Sequence, residues 1–529
     1  MLSSSKMESP IASLPVEGAR KSSNAEPKWV AGLWLTLALL AAIAPIWISS
    51  TLPTSDGGSH AYNAMIADQV RTGKAPFDSR FVLRKFPRSN FASDSILRLL
   101  GPFFGWENAE RVLASFTALA SGLMFYLITS TVLKSAYASA ISSWLASNWF
   151  FWMGFYDFSV SIAAFAGLVI ALRSDKEQMR WLWIGVSFLA LYATHLFTFA
   201  AGAGLFIWLL LWRVKRGQVR PWALLTAVLP VGVLAYELLA GPVGSGGMSW
   251  NGWRAFERAF VGWAIGDFMI TFTWIGLVVG TAVMFVTWAG LIGRLRAAIR
   301  FRRWDPIDLF ALAAFAASLI VPDHIGTGLY TAARIRFITV ILLLPSTVAF
   351  LSASPIANAR RGRYVAAAAL VLGLMIQAGW IVRISHLVTE QVVAMEQILR
   401  AAGVRKGDWV MAVLQDRRAA AIRITAYAHV PERAYLRLGA CALDNYEASL
   451  GNFEVQWRQP PDDLAVRASD SGWSISRKAR EMPWRDGLWV LHQANLNLVS
   501  IDPALVVLSP GSVRGTTKSP FQVTRVEVR

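Results

Sequence analysis

Nine apolar runs constrain this 529-residue chain more than any motif in it. A helix crossing a bilayer needs about 20 mostly apolar residues, because its backbone groups find no water there. The runs lie at 29–50, 109–133, 136–172, 181–212, 222–239, 268–292, 307–321, 335–352 and 364–382. Hydrophobic residues make up 55% of the chain and charged residues 16%, with a mean hydropathy of +0.44. A soluble domain carries roughly 25% charged residues. A disordered chain, a disulfide scaffold and an ordinary soluble enzyme are excluded. The lone Cys441 excludes an intramolecular disulfide and a multi-cysteine metal site. The net charge of +18 does not indicate a nucleic-acid partner, because the basic residues gather in short loops between apolar runs.

Two runs are too long for one crossing. The run 136–172 contains Asp157 and the run 181–212 contains His195. A charge deep in lipid is expensive, so each run is expected to fold as a hairpin with its polar residue at the tip. That gives about eleven spans. With the N-terminus in the cytoplasm, the short inside connections carry sixteen Lys and Arg, against two outside, Arg254 and Arg258. Reading either long run as a single span destroys that bias. The expected fold class is a polytopic α-helical membrane protein, about eleven transmembrane helices, with a C-terminal extracytoplasmic α/β domain. Residues 1–28 read as a disordered cytoplasmic segment. Residues 29–384 form the transmembrane domain with an outward loop at 51–108, and residues 385–529 form the outer domain. This last stretch holds 18 Lys and Arg against 15 Asp and Glu. It reads as a helix at 388–402 and strands at 409–414, 488–491, 504–508 and 521–528.

No Walker loop, HExxH, GxSxG or glycine-rich nucleotide fingerprint is present. What carries information is the side on which polar groups gather. Asp56, His60, Asp157, His195, Glu237, Asp267, Asp323, His324, Arg334 and Arg336 all fall at the outer ends of spans. A pathway through the bilayer would place ionisable residues at mid-span and at both ends. Asp56 reads either as a helix N-cap or as a catalytic carboxylate, and His60 follows it by one helical turn. Arg334 and Arg336 read either as snorkelling residues or as a phosphate clamp, since a guanidinium fork matches phosphate oxygens. His429 and His492 show no catalytic spacing with acidic residues, so the C-terminal domain is not expected to carry the chemistry.

Three stretches carry a resemblance: Asp56-Gly57-Gly58-Ser59-His60, Gly154-Phe155-Tyr156-Asp157-Phe158 and Tyr192-Ala193-Thr194-His195-Leu196-Phe197. With an anchor helix, an outward loop bearing an early Asp and short outward hairpins, the layout over about 29–384 resembles the C-type (GT-C) integral membrane glycosyltransferases. That group includes protein O-mannosyltransferases and bacterial transferases that add aminoarabinose to lipid A. The resemblance implies inverting transfer of a sugar from a polyprenyl-phosphate donor to an envelope glycan, lipid or protein on the outer face of the cytoplasmic membrane. Asp56 matches the general base, and Asp157 matches a second acidic residue by place. His60, His195, Arg334 and Arg336 are the substrate-binding candidates. Many members carry an acidic pair where Asp56 is followed by Gly57-Gly58. No metal ligand is therefore assigned, and a divalent metal stays open as the only cofactor. Two other classes stay open, a lipid or glycan transporter or flippase and a non-catalytic envelope assembly protein.

The charge bias makes a direct prediction. A reporter fused after Arg529 is active only outside the cytoplasm, and activity confined to the cytoplasm contradicts the topology.

Overall fold

The structure is a computed structural model. It describes residues 27–84, 89–130, 135–174, 177–240, 253–302, 304–322, 330–353, 360–413, 423–443, 445, 448, 453–458, 488–493, 505–507, 513–514 and 521–528. The proposed cytoplasmic segment, all but its last two residues, lies outside them, as do Asp323 and His324.

Helices occupy every apolar run. They are α1 (Lys28–Ile48), α2 (Gly57–Arg71), α3 (Ala92–Phe104), α4 (Trp106–Ser130), α5 (Ala136–Ala146), α6 (Tyr156–Arg173), α7 (Glu177–Thr194) and α8 (Leu196–Lys215). Then follow α9 (Val228–Ala240), α10 (Trp253–Ile265), α11 (Trp274–Phe301), α12 (Pro306–Ile320), α13 (Thr331–Ala353), α14 (Arg360–Ala401) and α15 (Val430–Leu438). Among the described residues, seven helices are long and apolar enough to cross a membrane, and Pro221–Glu237 and Pro306–Ile320 are shorter apolar helices. The run 136–172 breaks into three helices, α5, a single turn at Trp149–Trp152 and α6, with Gly154 (φ +84°) before α6, and the run 181–212 breaks into two at His195. Two details differ from the sequence reading. The connection expected at 240–267 contains α10. The span at 364–382 and the helix at 388–402 are one continuous helix, α14, because nothing from Trp380 to Thr389 breaks it: neither Pro nor Gly occurs there.

The chain divides into two compact units. One is drawn from Met1–Pro45, Ser115–Phe151 and Tyr156–Gly379, the other from Ile46–Ala114, Trp152–Phe155 and Trp380–Arg529.

In the first unit the fully buried Phe337 of α13 is ringed by Phe125, Phe150, Phe158 and Phe268, with centroids 5.0–6.5 Å away. Aromatic packing of this kind supplies the dispersion contacts that hold helices together where lipid already satisfies apolar surface. A second tie is ionic. Arg294 of α11 bonds Asp308 at 2.8 Å, Asp305 at 3.0 Å and Ser346 at 2.7 Å, joining α11, α12 and α13. Asp305 also caps α12 by accepting from the Ile307 N–H at 2.8 Å.

The second unit unites much of the loop at 51–108 with the C-terminal region. Strand β1 (Phe81–Leu83) of the loop pairs antiparallel with β4 (Val455–Trp457), and the Phe81 and Trp457 rings stack at 4.4 Å. The larger sheet runs β3 (Cys441–Ala442), β2 (Trp409–Val413), β5 (Leu488–Gln493), β8 (Phe521–Val528), β6 (Leu505–Val507), with β7 (Val513–Arg514) also on β8. Strand β2 lies parallel to β3 and β5, whereas β8 runs antiparallel to its neighbours. The first ten or so residues of α2 are buried almost without a gap. Tyr62 explains how, since its hydroxyl donates to the Ala440 carbonyl at 2.9 Å and accepts from the Ala442 N–H at 2.7 Å. Asn63 and Asn445 exchange side-chain hydrogen bonds of 2.7 and 3.2 Å. On α14, Ser385 donates to the Thr51 carbonyl at 2.7 Å. The sequence boundary at 384/385 therefore cuts through a unit that also holds residues 46–114.

Fragment 385–529 leaves strand β4 without β1 and Arg433 without its buried acid. Expressed alone, it is expected to show no cooperative thermal transition, checked by circular dichroism. A sharp transition in the isolated fragment contradicts this packing.

Candidate functional site

Asp56 holds the N-cap position of α2, with φ −91° and ψ −11°, yet its side chain makes no cap bond. Of the two readings open from the sequence, capping is not what this carboxylate does. The half-buried group instead stands 3.5 Å from Nε2 of His429. His429 precedes α15, and its Nδ1 lies 2.8 Å from Glu432 Oε1. A carboxylate only accepts, so Nδ1–H donates to Glu432 and Nε2 is the nitrogen turned to Asp56.

The backbone around Asp56 is pinned from two sides. Its N–H donates to the Met153 carbonyl at 2.9 Å, and the Ser55 N–H donates to the Trp152 carbonyl at 3.4 Å. Gly154 follows in the left-handed region, and a Cβ there would stand 2.5 Å from the Gly57 nitrogen. The first two sequence motifs thus meet backbone to backbone, and only glycine permits both the turn and the approach.

A buried ion pair lies beside them. Arg433 NH1 donates to Glu110 Oε2 at 2.7 Å, and NH2 donates to Oε1 at 3.0 Å and to the Thr54 hydroxyl at 3.1 Å. Thr54 donates to the same Oε1 at 2.8 Å. Glu110, Arg433 and Thr54 are all buried. A side chain at residue 57 would collide with the Glu110 carboxylate, and a Cβ at residue 58 would stand 2.9 Å from both Arg433 and the His429 carbonyl. This accounts for Asp56-Gly57-Gly58 in physical terms: the space an adjacent acidic residue would need is filled by Glu110, delivered from α4. Glu110 in turn is committed to Arg433. Among the described residues no group of three His, Cys, Asp or Glu side chains is arranged to hold a metal ion.

His60 takes a different partner from Asp56. Its Nδ1 lies 3.4 Å from Asp94 on α3, and its ring leans on Phe453. The helical turn between His60 and Asp56 is a backbone relation, His60 N–H to Asp56 carbonyl at 3.0 Å.

The first unit gathers a second cluster. Arg334 NH1 donates to His195 Nε2 at 2.7 Å, and the guanidinium lies 5.0 Å from the centre of the Phe158 ring. His195 also meets Phe158 edge-on at 5.2 Å. Arginine has no acceptor, so this histidine is the neutral Nδ1–H tautomer. Burial first, and then the Arg334 charge, push its protonation well below the ordinary histidine range. Asp157 is half-buried in the first turn of α6. Tyr192 of the third motif donates to the buried Glu237 at 2.8 Å. Arg336 is placed differently from Arg334. Its NH2 and Nε donate to Asp267 at 2.7 and 3.3 Å, so its fork is occupied by a carboxylate of the protein. The two arginines expected to act as one clamp have separate partners.

Glu110, Arg433, His429 and Glu432 were missed by sequence reasoning. For His429 that reading is corrected outright, because Glu432 is its acidic partner three residues on. The signal was the stretch His429-Val430-Pro431-Glu432, an acid one turn after a histidine at a proline-marked helix start. Glu110 and Arg433 carry no such signal, being 323 residues apart.

No protein-family model matches the chain, and no curated protein matches it. Solved structures do. The chain is similar to ArnT from Cupriavidus metallidurans bound to undecaprenyl phosphate, with a TM-score of 0.51, 12% identity, and 94% of this chain covered against 98% of that one. The apo structure of the same protein gives a TM-score of 0.56, 11% identity, and 94% and 97% coverage. The likeness is one of fold and extends over nearly the whole of both chains. It is the fold that the GT-C resemblance implies.

The Arg336–Asp267 pair is testable apart from function. A double-mutant cycle with Arg336→Gln and Asp267→Asn is expected to give a coupling of about 0.5–3 kcal/mol in thermal unfolding of detergent-solubilised protein. Strictly additive losses contradict the pairing.

Proposed function

We propose that this chain transfers a sugar from a polyprenyl-phosphate donor to an envelope acceptor at the outer face of the cytoplasmic membrane. Asp56 is the general base. The reading includes the topology drawn from charge, with about eleven crossings, the N-terminus in the cytoplasm and the C-terminal region outside. The fold shared with ArnT, one structure of which holds undecaprenyl phosphate, supports the donor class. The observation that carries the residue assignment is the Asp56 carboxylate, which makes no cap bond and lies against a histidine anchored by Glu432.

In this reaction the acceptor hydroxyl attacks the anomeric carbon while the bond from that carbon to the lipid phosphate breaks. The hydroxyl has a high pKa, so a positioned carboxylate that takes its proton as the bond forms lowers the barrier. The proton goes to Asp56, and the two electrons of the broken bond leave with the polyprenyl phosphate. That leaving group gathers negative charge, which a guanidinium stabilises. Arg334, set against the neutral His195, is the proposed partner of the phosphate, and Arg336 supports α13 through Asp267. Asp157 remains the second catalytic candidate, and His60 a candidate for holding the substrates. His429 stands against the Asp56 carboxylate and, through Glu432, keeps its own ring in one orientation.

Asp56→Asn keeps the size of the side chain and removes its basicity. Transfer from a polyprenyl-phosphate sugar, measured in membranes with equal amounts of each protein, is expected to fall roughly 10²–10⁴-fold, with folding unchanged. His429→Gln is expected to cost less than Asp56→Asn, and Arg334→Gln to raise the KM for donor. Equal rates for wild type and Asp56→Asn contradict the assignment and favour a non-catalytic envelope role.

A further inference from the structure

A cavity of about 540 Å³ opens in the first unit among the C-terminal end of α6, the N-terminal half of α7, the second half of α8 and residues 219–226. Three arginines line it, Arg180, Arg213 and Arg220, and no acidic side chain is among its described lining residues. Arg213 is held in place by donating to the Leu172 carbonyl at 3.2 Å. The floor is apolar, with Phe206, Leu209 and Leu210 buried. On the rim stand Trp181 and Trp222, 42% and 65% exposed. Indole rings prefer the headgroup level of a bilayer.

We propose that this cavity binds an anionic glycerophospholipid, its phosphodiester on the arginines and one acyl chain along Phe206 and Leu210. Charge complementarity selects an anion. The buried apolar floor and the two exposed indoles select an amphiphile over a free ion. Basic pockets between membrane helices on the cytoplasmic side are suited to such headgroups, and the charge bias of the sequence puts this end of the bundle in the cytoplasm. The site is separate from the Asp157 end of the same helix. Leu172 lies fifteen residues along α6 from Asp157, about 22 Å at 1.5 Å per residue. The proposal does not depend on the transfer reaction.

The test uses the full-length protein, delipidated in a neutral detergent, with retained lipid counted by native mass spectrometry. The probes are dioctanoyl phosphatidylglycerol, dioctanoyl phosphatidylcholine, undecaprenyl phosphate and inorganic phosphate. One phosphatidylglycerol is expected to stay bound under conditions that remove phosphatidylcholine. The triple variant Arg180→Gln, Arg213→Gln, Arg220→Gln is expected to weaken it on the order of 100-fold. Ala223→Trp fills the cavity and leaves all three arginines, and it is expected to abolish retention, which covers the case in which the triple variant does not fold. Equal retention of both phospholipids, or retention by the Ala223→Trp protein, overturns the site. Displacement by millimolar inorganic phosphate makes it an anion site rather than a lipid site. Displacement by undecaprenyl phosphate at lower concentration than phosphatidylglycerol assigns it to another lipid. Either displacement overturns the proposal.

Discussion

The buried pair of Arg433 with Glu110 is the constraint around which the Asp56 region is arranged. Two opposite charges out of water are tolerable only when each finds the other in good geometry and the remaining lone pairs are satisfied. Here both terminal guanidinium nitrogens and the Thr54 hydroxyl meet the Glu110 carboxylate. Removing either partner strands the other, typically at about 3–5 kcal/mol. The pair also dictates the neighbouring sequence. Because Glu110 and Arg433 fill the space beside residues 57 and 58, both must be glycine, and α2 then starts with its Asp56 carboxylate free of capping. The same residue, Arg433, sits on α15 one turn past His429, so the helix that neutralises Glu110 also delivers the imidazole to Asp56.

Much of this architecture was legible in the sequence because its signals are local. The apolar runs became helices, with breaks around Gly154 and at His195. The strand candidates at 409–414, 488–491, 504–508 and 521–528 appear as β2, β5, β6 and β8. Gly57-Gly58 was legible as a departure from a family pattern but not as a steric necessity, because the carboxylate that demands it comes from residue 110. Long-range pairs have no periodic trace. Glu110 with Arg433, Tyr62 with Ala440 and Asn63 with Asn445 span more than 300 residues each. Missing them is why the C-terminal region reads as a domain beginning at 385, when its compact unit also takes in residues 46–114. His429 shares this limit in part: Glu432 is a local partner, but Asp56, the acid facing its Nε2, lies at the other end of the chain.

Arginines divide by what they meet. Arg433, Arg336 and Arg294 are neutralised by Glu110, by Asp267 and by Asp305 with Asp308, and they fix helices. Arg334 meets a neutral imidazole and an aromatic face instead. Arg180, Arg213 and Arg220 gather round a cavity with no acid in its described lining. Arg334 falls in the cluster proposed to meet the donor phosphate, and the three cavity arginines lie at the far end of α6.

The central claim is that the chain consumes a polyprenyl-phosphate sugar at the cell envelope. The most direct measurement compares the lipids and envelope glycans of a deletion strain with those of its parent. The account predicts that the deletion strain accumulates one polyprenyl-phosphate sugar and lacks that sugar on an envelope component, and that the wild-type gene but not one encoding Asp56→Asn restores both. Identical lipid and glycan profiles in deletion and parent strains, under conditions where the protein is made, would contradict it.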